Sequence, residues 1–289
     1  MDIAEFHQSR QFVETSFGRT AYVERGDGPA ALLMHGAPLN GYEWRYVLDG
    51  LSGLRRCIAP DAMGLGYTEV NDGVTITADA QAAMLVEFLD TLGVDKVDLV
   101  GNDSGGGVMQ VFAVNNPDRV RSLTLTNCEA GDYGGPAADA FREMVKSGTL
   151  TKQLRAIHEK PALGKKLWSM AYEKPEAVPH EHAEVYVGPV LSSPDRIANM
   201  EQYLTSFDPK HIAALEEGLR QLDVPALIVW GTADTFFDLK LGQWLDEVLP
   251  QSNGVVEVEG GKLFFLEERY EFFGKTLGEF WANVPVEVA

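Results

Sequence analysis

The chain has 289 residues, of which 45% are hydrophobic and 23% are charged, the usual composition of a folded globular protein. Its 24 Lys and Arg residues are outnumbered by 43 Asp and Glu residues, and the net charge of −19 disfavours binding to nucleic acid or to an anionic membrane. No apolar run approaches the roughly 20 residues that span a bilayer, and the N-terminus has no basic segment followed by an apolar one. We therefore expect a cytoplasmic monomer or homodimer.

The predicted elements begin with two alternating segments, QFVETSFG and RTAYVERG, which indicate an antiparallel hairpin turned at Gly18. Short apolar runs then alternate with longer amphipathic segments. Runs so short and so apolar are typical of parallel strands that are covered on both faces. The predicted strands are 31–36, 55–61, 97–102, 121–128, 225–231 and 254–260, and the clearest predicted helices are 76–93 and 106–117. This alternation predicts a wound α/β fold whose central sheet is mostly parallel, with helices on both faces.

Residues 131–211 interrupt this alternation. They contain helical patterns at 137–147, 161–173 and 193–206 and no convincing strand. We predict a helical lid over 131–211, inserted into a core formed by 1–130 and 212–289. Cys57 and Cys128 follow or lie in strand-like runs, where thiols act as small buried hydrophobes, so no disulfide framework is expected.

The stretch LVGNDSGGG at 99–107 carries the first candidate nucleophile. A nucleophile on a sharp turn between a strand and a helix needs small residues two positions before it and two after it. Gly101 and Gly105 bracket Asp103 in this way, whereas a frame centred on Ser104 would put an asparagine at the first small position. The register therefore selects Asp103. The alternative is a Gly-rich strand end whose aspartate caps a helix.

A second motif, HGAP at 35–38, ends an earlier predicted strand. In α/β folds with a nucleophile on such a turn, the backbone N–H after a His-Gly pair and the N–H after the nucleophile together form an oxyanion hole. Ala37 and Ser104 are therefore the expected donors. His35 is expected to brace the turn rather than to act as a base.

These two motifs and the order of elements resemble the α/β-hydrolase fold family over essentially the whole chain. PDAMGLGYT at 60–68 is similar to the family's PD-x-x-G-x-G-x-S loop, with Thr68 in place of the serine. The aspartate nucleophile and HGAPLNGYEWR at 35–45 resemble haloalkane dehalogenases, fluoroacetate dehalogenases and epoxide hydrolases. The resemblance implies that Asp103 attacks a carbon to form an ester, which is cleaved by water that a His activates while an acid orients that His.

The resemblance places the acid at Asp234, at the end of LIVWGTAD. Some dehalogenases carry the acid one strand earlier, which would fall near Glu129, although a solvated loop carboxylate is the favoured interpretation there. The base is missing, because GKLFFLEERYE at 261–271 matches the family's G-H-F-x-x-E-E-R-P-E segment with Leu263 at the His position. None of the six histidines follows the last predicted strand. Loss of a positioned base costs about 100- to 10,000-fold in rate, so the ester is expected to be long-lived.

Four interpretations of the missing base stay open. His180 or His182 in the lid could supply it, as a surrogate from VPHEHAEVY. Asp103 could instead be the base of a non-hydrolytic lyase or isomerase, in an apolar pocket that raises its pKa. The chain could be a catalytically silent ligand-binding member of the fold, or the His could have been replaced by engineering.

The substrate is expected to be a small hydrophobic organic molecule of the haloalkane, epoxide or ester type, which makes hydrolase the default class. Haloalkane dehalogenases hold the halide with a Trp directly after the nucleophile, but Ser104 stands there. No Gly-rich dinucleotide loop or metal-ligand cluster is visible, so neither a cofactor nor a metal is expected. The candidate substrate contacts are aromatic side chains of the lid and of the segment after the acid: Trp168, Tyr172, Tyr186, Tyr203, Phe236 and Phe237.

Overall fold

A computed structural model describes residues 1–133 and 136–286 and has an eight-stranded sheet at its centre, in the order β1-β2-β4-β3-β5-β6-β7-β8. The pairs β1–β2 and β2–β4 are antiparallel and all the other pairs are parallel. The strands are β1 (Gln11–Thr15), β2 (Gly18–Arg25), β3 (Ala30–Met34), β4 (Arg56–Pro60), β5 (Val97–Asp103), β6 (Val120–Cys128), β7 (Ala226–Gly231) and β8 (Ser252–Val258). The predicted hairpin and the predicted mostly parallel sheet are confirmed, but the hairpin turns at Ser16 and Phe17, and Gly18 is the first residue of β2.

The central strands explain why the prediction succeeded. Every residue of β3 and β5 is buried, as expected for parallel strands covered by helices on both faces. The edge strand β8 was predicted at 254–260 as one of the apolar runs covered on both faces, but most of its residues are half-buried or exposed because it has a neighbouring strand on one side only. Cys57 and Cys128 are buried free thiols.

Helices cover the sheet and fill the connections between strands. Two short 3₁₀ segments that precede helices lie at Gly41–Trp44 and Pro161–Gly164, a third at Pro117–Arg119, and a π-helical turn at Ala183–Val187. The α-helices are α1 (Ile3–Gln8), α2 (Arg45–Gly50), α3 (Ala78–Thr91), α4 (Ser104–Asn115), α5 (Pro136–Lys146), α6 (Thr149–Glu159), α7 (Lys165–Ala171), α8 (Gly188–Leu191), α9 (Pro194–Thr205), α10 (Pro209–Ala213), α11 (Glu216–Gln221), α12 (Leu239–Val248), α13 (Phe265–Glu268) and α14 (Tyr270–Asn283). Within the described ranges, no helix combines the length and the hydropathy that crossing a bilayer would require.

The connection between β6 and β7 is helical, and its described residues form no strand. We call this connection the helical insertion, and its predicted bounds of 131–211 stay a prediction. Helix α6 lies outside the three helical patterns read from the sequence, although Leu150, Leu154 and Ile157 give it a buried apolar stripe. The predicted helix at 161–173 is a 3₁₀ turn followed by α7.

Candidate active site

Asp103 lies at the sharp turn where β5 ends and α4 begins. Its φ of 53° and ψ of −133° are rare for a residue with a side chain, and such strain costs roughly 1–3 kcal/mol. The turn brings two backbones together, since a Cβ on Gly101 would lie 2.7 Å from the Gly105 carbonyl oxygen and from the Gly106 Cα. The small residues around Asp103 are therefore required by the close approach of β5 and α4.

The loop after β3 holds one carboxylate oxygen of Asp103. The Ala37 N–H donates a hydrogen bond to Asp103 Oδ2 across 2.9 Å. A second carboxylate braces this loop, because Glu43 Oε2 accepts from the Gly36 N–H at 2.7 Å. The Ala37 N–H and the N–H of Ser104, which follows Asp103, both favour the charged form of the Asp103 carboxyl.

His35 is buried beneath the same loop. Its Nε2 faces the Ala62 N–H at 3.0 Å and must accept, so Nδ1 carries the proton and donates to the Gly36 carbonyl at 2.8 Å. Both ring nitrogens are therefore occupied by backbone, and burial lowers the pKa of the ring. This arrangement agrees with the expected bracing role.

Asp103 opens onto a cavity of about 110 Å³ between the helical insertion and the sheet. Its walls are mostly apolar, and four of the predicted substrate contacts line it: Trp168, Tyr203, Phe236 and Phe237. Ala37, Ser104 and Leu263 also line it. The described lining residues include no histidine.

Tyr172 and Tyr186 do not line this cavity, which corrects two of the predicted substrate contacts. Their hydroxyls donate to Glu267 Oε1 at 3.2 Å and 2.8 Å, and Arg45 donates to Glu267 Oε2 at 2.9 Å. A buried carboxylate needs such partners, and Arg45 lowers the pKa of Glu267 despite its burial. The two tyrosines therefore serve this buried ion pair.

The lid histidines also lie away from Asp103. His182 is buried, with Nδ1 3.8 Å from Glu267 Oε2, and burial lowers the pKa of its ring. His180 is exposed. The expectation that His180 or His182 supplies a surrogate base is corrected, because the insertion turns one toward Glu267 and the other toward solvent.

Leu263 is buried at the position where the resemblance calls for the base. It is 4% exposed and its side chain forms part of the cavity wall. Its carbonyl accepts a hydrogen bond from Asn102 Nδ2 at 3.1 Å, which fixes the segment beside the elbow. Hydrocarbon therefore occupies the place where a base would act.

Asp234 lies three residues after β7 and is held by its own loop. Its Oδ1 accepts from the Phe236 N–H and its Oδ2 from Asn127 Nδ2, both at 2.8 Å. Burial raises the pKa of Asp234 to about 6, against these donors. Asp234 is not among the described residues of the cavity wall.

Glu129 directly follows β6, and the structure places it in the cavity wall at 6% exposure. Among the described residues its Oε2 has no hydrogen-bond partner. Burial, and then the charge of Asp103, raise the pKa of Glu129 well above its usual value. The interpretation of Glu129 as a solvated loop carboxylate is wrong, because the helical insertion covers the end of β6.

Burial also raises the pKa of Asp103, to about 7, with a further contribution from the charge of Asp234. The cavity thus contains two carboxyl groups whose pKa values are both raised by burial, that of Asp103 to about 7. Two carboxyls with such environments are typical of acid–base sites.

The sequence predicted the Ser104 backbone as a donor and Tyr203 as a substrate contact, but it gave no sign of a hydrogen bond between their side chains. The Tyr203 hydroxyl, on α9, donates to Ser104 Oγ across 3.0 Å, and both residues line the cavity. Nothing in the local sequence connects residues 99 positions apart. Within the described ranges, no group of three or more His, Cys, Asp or Glu side chains could hold a metal ion.

The sequence and the fold are similar to those of known hydrolases. Residues 29–269 match the model of a family described as the alpha/beta hydrolase fold. The chain is 30% identical to the soluble epoxide hydrolase of Corynebacterium sp. (strain C12), over 91% of this chain and 94% of that one. It is 28% identical to haloalkane dehalogenase 2 of Mycobacterium tuberculosis (strain H37Rv), over 90% of each chain. In structure it is similar to the meta-cleavage product hydrolase CumD of Pseudomonas fluorescens IP01, with a TM-score of 0.79, 20% identity and coverage of 95% and 98%.

Proposed function

This chain belongs to the α/β-hydrolase fold family, and we propose that it is a hydrolase whose Asp103 attacks a carbon atom of a small hydrophobic epoxide or haloalkane. The observation that carries the proposal is the setting of the Asp103 carboxylate. One of its oxygens accepts from the Ala37 N–H, and the residue lines an apolar cavity. The relatives named as an epoxide hydrolase and a haloalkane dehalogenase support the same substrate classes.

The hydrogen bond from Ala37 favours attack by the other carboxylate oxygen. Oδ2 is held against the loop, which leaves Oδ1 as the oxygen available to a bound carbon. When the resulting ester is hydrolysed, the tetrahedral intermediate places negative charge on the oxygen that the Ala37 and Ser104 N–H groups face. Asp234 is the acid of the proposed site and acts through its charge beside Asp103.

The size of the cavity limits the substrate. An apolar protein cavity of about 150 Å³ accommodates benzene, and this one measures about 110 Å³. A substrate of about four carbon atoms therefore fits without displacing a side chain. Butylene oxide and n-butyl bromide are suitable probes of the two electrophile classes.

The polar groups in the cavity favour the epoxide. When Asp103 opens the ring, the leaving oxygen becomes an alkoxide and needs a hydrogen-bond donor. The hydroxyls of Ser104 and Tyr203 form a connected pair in the cavity wall. A bromide ion leaves without a proton, so the pair contributes less to haloalkane chemistry.

A single turnover in isotopically labelled water tests the mechanism. If Asp103 is the nucleophile, water attacks its Cγ, and the label enters the Asp103 carboxylate while the first product carries unlabelled oxygen. Label in the product of the first turnover would mean direct attack by water and would overturn the role of Asp103. Mass analysis of the Asp103 peptide and of the diol or alcohol separates these outcomes.

A second candidate function is a lyase or isomerase in which Asp103 transfers a proton. The observation that favours it is the pKa of Asp103, raised by burial to about 7, together with the absence of histidine from the described cavity wall. Such a carboxyl is suited to general acid–base chemistry near neutral pH. This function predicts product without any solvent oxygen and an Asp103 carboxylate that never acquires label.

A further inference from the structure

The ester formed on Asp103 must be hydrolysed if the enzyme is to turn over, and the structure contains a second carboxyl group beside it. Cys128 pairs with Asp103 in the parallel β5–β6 ladder, and Glu129 directly follows Cys128, the last residue of β6. Neighbouring strands lie about 4.8 Å apart, so Asp103 and Glu129 lie side by side at the C-terminal ends of β5 and β6.

The Glu129 side chain lies over the first turn of the helix that starts at the elbow. A Cβ on Gly107 would lie 3.3 Å from Glu129 Oε2, and Gly107 is four residues after Asp103. The carboxyl group also forms part of the cavity wall, and its Oε2 has no partner among the described residues. A buried polar oxygen without a protein partner is a position at which water binds.

We propose that Glu129 is the general base that replaces the missing histidine and activates the water that hydrolyses the Asp103 ester. This inference rests on the proposed function, because it concerns the second step of that reaction. Glu129 takes the position at which some dehalogenases carry the acid that orients a histidine, but here it acts on water directly.

The step balances in atoms and charge. The Glu129 carboxylate takes a proton from water as the water oxygen bonds to Asp103 Cγ, and the oxyanion forms toward the Ala37 and Ser104 N–H groups. The intermediate collapses by breaking the bond between Cγ and the product oxygen. Glu129 returns its proton to that oxygen, which gives the alcohol or diol and leaves Asp103 as a carboxylic acid that keeps the remaining proton of the water. Transfer of this proton to Glu129 restores the Asp103 carboxylate and the protonated Glu129 of the free enzyme.

The charge of Asp103 controls when Glu129 can act as a base. In the free enzyme burial, and then the charge of Asp103, raise the pKa of Glu129, so Glu129 holds a proton while Asp103 is the nucleophile. Formation of the ester removes the contribution of the Asp103 charge, so the pKa of Glu129 falls and Glu129 releases its proton to solvent more readily. Arg142, also in the cavity wall, favours the charged form of Glu129. The same carboxyl is therefore inactive as a base in the first step and active in the second.

The experiment compares the wild type with Glu129→Gln, Glu129→Asp and the control Glu143→Gln, an exposed glutamate on α5. Butylene oxide is added in rapid-quench mixing, and intact mass follows both the appearance of the ester and its decay. Glu129→Gln resembles the protonated glutamate of the first step, so ester formation should keep the wild-type rate, which also shows that the variant is folded. Ester decay should slow by about 100-fold or more, as for removal of a general base. Glu129→Asp should recover part of this loss, and Glu143→Gln should match the wild type.

Two results would overturn the inference, and they are distinguishable. If the ester forms but decays in Glu129→Gln as fast as in the wild type, Glu129 is not the base, while the proposed function stands. If the wild type forms no ester with butylene oxide or n-butyl bromide, the role of Asp103 fails, and the role of Glu129 fails with it.

Discussion

The hydroxyl of Tyr203 donates a hydrogen bond to Ser104 Oγ across 3.0 Å, which connects the helical insertion to the residue that follows the proposed nucleophile. This contact positions the two hydroxyls together in the cavity wall. In the proposed reaction with an epoxide, the insertion therefore donates to the leaving oxygen in addition to covering the sheet.

The first prediction concerns this hydroxyl pair. Tyr203→Phe and Ser104→Ala should each slow ester formation from butylene oxide by about 10- to 100-fold, because each removes stabilisation of the leaving oxygen. Ester formation from n-butyl bromide should change little. Tyr133→Phe is the matched control, since Tyr133 lines the same cavity but its hydroxyl donates to the Phe207 carbonyl at 3.1 Å. Equal slowing with both electrophiles would show that the pair only supports packing.

The second prediction concerns the position where the base is missing. In a Glu129→Gln background, which lacks the proposed base, Leu263→His should accelerate hydrolysis of the Asp103 ester by about 100- to 10,000-fold if the new imidazole is oriented by Asp234. Leu263→Gln, which is polar but cannot act as a base, should give no comparable acceleration. The decay of the ester in quenched-flow mass spectrometry is the measurement. Decay in Leu263→His no faster than in Leu263→Gln would mean that Asp234 does not orient a base at this position.

The third prediction concerns the pH dependence of ester formation. Burial raises the pKa of Asp103 to about 7, and only the ionised carboxylate is nucleophilic. The rate constant of ester formation should therefore rise from pH 5 to pH 8, with its midpoint near pH 7. A midpoint near pH 4 would show that Asp103 ionises as an ordinary aspartate. Single-turnover rates with n-butyl bromide are the simplest measurement, because bromide leaves without a proton.

The fourth prediction follows from the same pKa and concerns stability. The pKa of Asp103 is about 7 in the folded chain against 3.8 for a free side chain, so the folded state binds the proton more tightly. Below about pH 4 both states are protonated, and the carboxyl contributes nothing to the pH dependence. Between about pH 4 and pH 7 the unfolded state loses its proton first, so the stability falls as the pH rises.

Asp103→Asn removes the free-energy cost of ionising a buried carboxyl group, and it should therefore stabilise the chain near pH 8. The expected gain in the free energy of unfolding is on the order of 2–4 kcal/mol at pH 8 and close to zero at pH 4. Thermal denaturation of both proteins at the two pH values measures it. An equal effect of the substitution at pH 4 and pH 8 would contradict the raised pKa.

The fifth prediction concerns the ion pair between Arg45 and Glu267. Glu267→Gln should lower the free energy of unfolding by about 3–5 kcal/mol, because it leaves the Arg45 guanidinium buried without its countercharge. The control is Glu216→Gln, which breaks an exposed pair with Arg220 and should cost less than about 1 kcal/mol. Urea denaturation compares the two. Similar small losses would mean that solvent reaches Arg45.

The sequence predicted the sheet because its strands are short, apolar and regularly spaced, and it predicted the elbow because Gly101 and Gly105 mark a close backbone approach. Both are local patterns. The bracing role of His35 was predicted from its position beside the turn and agrees with its two backbone hydrogen bonds.

The rest of the site depends on contacts between residues far apart in the chain. The sequence could not show that Tyr172 and Tyr186 bind Glu267 while Tyr203 reaches Ser104, because all three lie in helical or turn segments of similar composition. The burial of Glu129 was missed for the same reason. Its environment is created by the helical insertion, which folds back over the end of β6.

The covalent role of Asp103 is tested most directly by the intact mass of the protein after brief exposure to butylene oxide, followed by mapping of the modified peptide. If Asp103 is the nucleophile, one molecule is added as an ester at Asp103, within LVGNDSGGG, and none is added to Asp103→Asn. Modification that persists in Asp103→Asn, or product formed by the wild type with no ester at any time, would contradict a covalent role for Asp103.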